Sequence, residues 1–185
     1  PQNLDIPDSH PVAHRLAALT ESRLFLLRRP YDEKAARLKQ DITVDEVRKM
    51  KSFFALSAAD GGRRVAIIDS IDEMNVSAAN ALLKLLEEPP ARVTILMISH
   101  QPAKLLPTIR SRCRELRLGA LSPEDLSEAL TQAGGEVAAS EATALAELAG
   151  GSVGEAFRMT NLDGLRHYEA LISLFAPLPR LDRPR

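Results

Sequence analysis

The sequence has no tryptophan, two tyrosines and a single cysteine, and its 24 basic and 25 acidic residues leave a net charge of −1. Each shortage excludes something. One thiol, Cys113, cannot close a disulfide within the chain or supply a four-thiolate zinc site, and it suits the reducing cytoplasm. Near-neutral charge without interleaved aromatics lacks the footprint and stacking platforms of a plain DNA-binding module, which a steep salt dependence of DNA binding would reveal. No apolar run reaches membrane length, and no signal peptide, repeat or low-complexity tract stands out. No G-x-x-x-x-G-K-[ST] occurs, so no loop among the 185 residues cradles phosphate in the P-loop manner. Such a loop would lie before the first strand. The chain opens on "PQNLDIPDSH" and closes on "APLPRLDRPR", so both ends read as cut and the chain as a fragment.

The composition that remains, 45% hydrophobic and 26% charged, fills one core and a small second one. "RLFLLRR" (Arg23–Arg29) is a short apolar run flanked by charge. "RRVAIID" (Arg63–Asp69) and "VTILMIS" (Val93–Ser99) are β-branched runs of buried-strand length. "RELRLGAL" from Arg114 is a weaker fourth. Helical patterns separate them, which predicts an α/β fold with a parallel sheet. Thr43 and Glu46 have capping-box spacing, and Val44, Val47 and Phe54 give the following helix an apolar face before Gly61-Gly62. In "NVSAANALLKLLEEPP" an apolar stripe runs through Ala79, Leu82, Leu83 and Leu86 until Pro89-Pro90 stops the helix. Asn80, Lys84 and Glu87 take the opposite face, with Lys84 and Glu88 spaced for a solvated pair.

Beyond Leu118 the pattern is helical only. Ser122-Pro123 opens one helix, a second runs through "ASEATALAELA" to Gly150-Gly151, a third follows Ser152, and a fourth spans about Leu162 to Phe175. The predicted organisation is an α/β core over 1–118, a helical lid over 119–178, and a tail or linker over 179–185.

Asp69 ends an apolar strand, where open α/β sheets bind ligands and where an acid holds Mg²⁺ or simply caps a turn. The next residue, Ser70, cannot serve as a base, and Asp72 and Glu73 come too late to share the Asp69 geometry. In "TIRSRCREL" (Thr108–Leu116) Arg110, Arg112 and Arg114 alternate. They share one face if extended and fan out at a helix end. Always-charged guanidinium forks suit phosphoryl groups held by a neighbour, and they also suit surface ion pairs; position alone does not choose. His10 and His14, at i and i+4, lack a third ligand for a metal. Cys113 has no adjacent base, which favours a structural thiol.

"VAIIDSIDEMNVSAANALLKLLEEPP" followed by "ILMISHQPAKLLPTIRSRC" resembles the AAA+ clamp-loader subunits of bacterial DNA polymerase III, and the similarity extends in weaker form from about Leu24 to Thr160. The resemblance implies a partial AAA+ parallel-sheet domain followed by a helical lid, with the phosphate-loop region upstream and a collar domain downstream. It also implies that any four-cysteine zinc module of the first domain is upstream or absent. Motor subunits of the gamma/tau type carry Asp-Glu at the end of the Walker B strand; here Asp69-Ser70 is degenerate. They also carry a sensor 2 arginine in the lid, where this sequence aligns Gly154. Ser99 and His100 compete for the sensor 1 position.

The Ser111-Arg112-Cys113 motif is intact. The resemblance therefore implies a non-hydrolysing stator, with Arg112 as a trans-acting finger toward a neighbour's γ-phosphate and Ser111 and Cys113 supporting its loop. Expected partners are the gamma/tau and delta subunits, the sliding clamp, and primed DNA through the assembly. ATP and Mg²⁺ would be bound by the neighbours, with no cofactor in this fragment. A gamma/tau-type ATPase whose phosphate loop lies outside the fragment is the rival reading.

Overall fold

The computed structural model describes residues 6–55, 62–135 and 141–176. The chain divides into two compact units, Pro1–Glu115 and Leu116–Arg185. In chain order the first holds α1 (Pro11–Ala17), β1 (Leu24–Leu27), β2 (Tyr31–Asp32), β3 (Arg37–Leu38), α2 (Val44–Ala55), β4 (Arg64–Asp69), α3 (Val76–Glu87), β5 (Val93–Ile98) and α4 (Pro107–Arg110). The second holds α5 (Pro123–Gln132), α6 (Ala142–Leu148), α7 (Val153–Asn161) and α8 (Gly164–Phe175).

The three apolar runs form the expected parallel sheet, in the order β1-β4-β5. Leu27 lies beside Ile68 on one side of β4, and Asp69 beside Ile98 on the other, so all three strands end at one edge. Whatever follows each strand therefore meets there. β2 and β3 form a separate two-stranded hairpin that the sequence reading did not anticipate. A short run is invisible to a periodicity argument.

β5 departs from the fully buried strand expected of it. Among the described residues its one partner is β4, and Leu96 and Ile98 are 51% and 40% exposed. The weak fourth strand does not form: residues 114–121 are irregular, with Leu116 and Leu118 largely exposed. A strand exists only as part of a ladder, and neither ladder among the described residues includes this stretch.

The first core is built by α2 and α3 against the sheet. α2 buries Val47, Met50 and Phe54, and the Thr43 hydroxyl at its start donates to the Glu46 carboxylate. Gly61, expected to mark the stop after this helix, lies outside the described residues. α3 begins at Asn75, whose side-chain oxygen accepts from the Ala78 N–H at 2.9 Å, an N-cap bond. Its buried face is Ala78, Ala79, Leu82 and Leu85, whereas Leu83 and Leu86 are only partly covered. The stripe is thus turned from the one read in the sequence. Ala79 and Leu82 belong to both stripes, and in a helix rich in leucine the packing partners, not the pattern, select between the remaining positions.

The second unit has its own core of Leu126, Leu130, Leu145, Ala146, Ala149 and Ala156. Ser122 caps α5 and Ser152 caps α7, each accepting the backbone N–H three residues on. α6 ends in a Schellman motif: Gly151 N–H donates to the Ala146 carbonyl and Gly150 N–H to that of Glu147. The first two residues of "ASEATALAELA" and the predicted 179–185 tail lie outside the described residues. Among the described residues no helix is long and apolar enough to cross a membrane.

Candidate functional site

Parallel strands place the residues after β1, β4 and β5 side by side at the carboxyl edge of the sheet. Arg28 follows β1 in the register that carries Asp69 on β4, and its Nε lies 3.0 Å from the Asp69 carboxylate. Arg29 takes an acid four residues beyond Asp69, its Nε 2.9 Å from Glu73. Two consecutive arginines thus neutralise two carboxylates of the β4–α3 connection. Sequence reading treated both arginines as flanking charge; their position just past an adjacent parallel strand was the available signal.

Asp72 supplies the third link. Its carboxylate accepts from the Ser99 hydroxyl at 2.9 Å, the His100 N–H at 2.6 Å and the Gln101 N–H at 3.3 Å. Partial burial is the largest single influence and pushes its pKa up. The His100, Ser99 and Gln101 donors together outweigh it and hold the carboxyl below the usual Asp range. Ser99 and His100, between which the resemblance leaves the sensor 1 position open, are both tied to this one acid. Neither the acid nor its reach across the fold was read from the sequence.

An acid at this edge is where related folds bind Mg²⁺, and the residues here do not fit that ion. Asp69 is engaged by Arg28, the following Ser70 is buried and carries no charge, Asp72 is filled by three donors, and Glu73 is paired. Among the described residues no group of three or more His, Cys, Asp or Glu side chains is arranged to hold a metal. The His10 ring instead caps α1, its Nδ1 accepting from the Val12 N–H at 3.2 Å.

The "TIRSRCREL" arginines fan out, because α4 ends at Arg110 and the chain turns immediately afterwards. The helix end makes the local chemistry. Arg112 N–H bonds to the Ile109 carbonyl rather than continuing the α-helical ladder, which leaves the Thr108 carbonyl to side chains. The Arg112 Nη1 donates to it at 2.8 Å and the Ser111 hydroxyl at 3.1 Å. The Arg112 Nη2 lies 3.0 Å from the Glu87 carboxylate at the end of α3. Cys113 Sγ donates to the Ile109 carbonyl, and burial raises its thiol pKa, so it is held protonated as a packing group. Arg110 and Arg114 are exposed.

The Lys84–Glu88 pair expected on α3 does not form among the described ion pairs; Glu88 is the C-cap and has left helical geometry. Its neighbour Glu87 makes the contact with Arg112 instead. In the second unit Gly154 sits in the first turn of α7 with open space around its Cα.

A parallel three-stranded sheet with Asp69-Ser70 at its carboxyl edge, a Ser-Arg-Cys turn after the last strand and a helical second unit define the class: a partial AAA+ α/β domain followed by a small helical domain. A family model described as "DNA polymerase III, delta subunit" matches residues 13–122, more than half of the chain. The chain belongs to this DNA polymerase III family, as a member of the delta-prime clamp-loader type. It is 48% identical over 98 residues to DNA polymerase III subunit delta' of Pseudomonas aeruginosa, covering 53% of this chain and 28% of that protein. It is 36% identical over 140 residues to the Escherichia coli subunit delta', covering 75% of this chain and 41% of that one. Subunit tau of Salmonella typhimurium is 38% identical over 87 residues, covering 47% of this chain and 14% of tau. The chain thus spans less than half the length of the relatives it matches.

Proposed function

We propose that this chain belongs to a non-hydrolysing, delta-prime stator of the DNA polymerase III clamp loader, and that Arg112 acts in trans on ATP held with Mg²⁺ by a neighbouring gamma/tau subunit. The observation that carries this reading is the placement of Arg112. It stands on an exposed turn directly after α4, its guanidinium oriented by the Thr108 carbonyl, while the carboxylates at the sheet edge of its own chain are occupied by Arg28, Arg29, the Ser99 hydroxyl and the backbone N–H groups of His100 and Gln101. Such an arrangement sets a guanidinium, paired with the exposed Glu87, at the surface and leaves none of the sheet-edge carboxylates Asp69, Asp72 and Glu73 without a partner. Ser70 in place of a hydrolytic carboxylate and Gly154 in place of a sensor arginine support the same reading.

In this role the subunit helps open the sliding clamp and couples hydrolysis to primed DNA, in the cytoplasm, alongside the gamma/tau and delta subunits. A trans guanidinium spreads charge away from the transferring phosphoryl group and as a class is worth roughly 10³ to 10⁵ in rate at the interface it serves.

The test is DNA- and clamp-stimulated ATP hydrolysis by a loader reconstituted with the full-length protein, wild type against Arg112→Ala at equal assembly. A large loss is expected at the one interface that Arg112 serves. Unchanged hydrolysis removes the finger role, and ATP hydrolysis by the isolated full-length protein puts the gamma/tau-type reading in its place.

A further inference from the structure

The Arg112 guanidinium does not stand free. Its Nη1 donates to the Thr108 carbonyl at 2.8 Å and reaches the Ser111 hydroxyl at 3.4 Å, and its Nη2 meets the Glu87 carboxylate at 3.0 Å. These partners differ in kind. Thr108 and Ser111 are neutral acceptors on the same turn as Arg112, so they orient the side chain without opposing an incoming anion. Glu87 carries a full negative charge and comes from another element, the last residue of α3. A phosphate approaching the same fork meets that charge at close range, and like charges there repel.

We propose that Glu87 is a positioning residue for Arg112, holding the finger in a resting ion pair that the neighbour's phosphate must displace. The inference rests on the finger role proposed above. Both side chains of the pair are partly open to water, 36% exposed for Arg112 and 49% for Glu87, and pairs of this kind are weak enough to exchange. Orientation survives the exchange because the Thr108 carbonyl stays bonded to Nη1. Glu87 thereby raises the threshold for hydrolysis before DNA arrives, without supplying any group to the reaction.

The experiment compares wild type, Glu87→Gln, Glu87→Asp, Arg112→Ala and the double variant Glu87→Gln/Arg112→Ala in reconstituted loaders of equal assembly. ATP hydrolysis is followed with and without primed DNA. Glutamine keeps the shape of an exposed side chain, and urea denaturation checks that each variant folds. The expected result for Glu87→Gln is a rise in kcat without DNA of up to about five-fold, the range that exposed ion pairs span. KM for ATP stays unchanged and the DNA-stimulated rate moves less. Aspartate restores the wild-type ratio, and the double variant falls to the Arg112→Ala rate, which places the effect on the finger. A Glu87→Gln rate that is unchanged or lower, while Arg112→Ala is impaired, overturns this inference and leaves the finger standing. An unimpaired Arg112→Ala overturns both.

Discussion

The Asp72 carboxylate accepts a 2.6 Å hydrogen bond from the backbone N–H of His100, 28 residues further along the chain. With the bonds from Ser99 and Gln101 it ties the turn after β4 to the segment that leaves β5 and runs on to Arg112. A charged acceptor shared by three donors is a stronger joint than a neutral one.

Replacing Asp72 by Asn should therefore destabilise the protein by roughly 1–3 kcal/mol at pH 7, because one charged acceptor and the match to its donors are lost. The pH dependence has a definite sign. Since the folded-state pKa lies below the ordinary Asp value of about 3.9, the ionised form favours folding, and its contribution is fully present above that value. It is lost as the pH falls from there through the lower folded-state pKa. Urea denaturation of wild type and Asp72→Asn at neutral and acid pH should show the two converging below about pH 4. A gap that persists undiminished in acid would mean that shape, not charge, makes the joint.

The core between the sheet and its covering helices supplies the second prediction. Leu82 is 0% exposed and packs in the cluster with Ile68, Val47 and Met50. Leu82→Ala removes buried methyl groups and leaves a void, which costs about 2–5 kcal/mol depending on how far the surroundings relax. Chemical denaturation should show the midpoint falling with little change in slope. A loss below about 1 kcal/mol would mean that α3 repacks around the gap.

Much of the fold was legible because its strands are β-branched runs and its helices open on residues with their own chemistry, as at Thr43 in the first unit and Ser122 in the second. The Ser-Arg-Cys turn was equally legible as a motif. What the sequence withheld were relations between distant residues. Arg28 reaches Asp69 only because β1 and β4 run in parallel with a fixed register, and Glu87 reaches Arg112 only because the end of α3 lies beside the turn after α4. The turned face of α3 and the missing fourth strand have the same origin, since a stripe or a strand is settled by the neighbour that covers it.

Glycine offers a last prediction, because two glycines of the second unit are present for opposite reasons. Gly151 closes the Schellman motif of α6 at φ 69°, and a Cβ there would stand 2.5 Å from the Leu121 backbone nitrogen. Neither the backbone angle nor the space admits another residue. Gly154 lies within α7, and a Cβ there meets nothing within 4 Å. Gly154→Ala should stabilise the protein by up to about 1 kcal/mol, the usual gain of alanine over glycine in a helix. Gly151→Ala should destabilise it, with both changes read as shifts in the thermal midpoint. Gly154→Arg should also fold normally, because a Cβ at this position meets nothing within 4 Å. A normal fold would show that packing does not exclude the arginine that the resemblance to motor subunits aligns here. A Gly154→Arg protein that fails to fold would show instead that glycine here serves the helix.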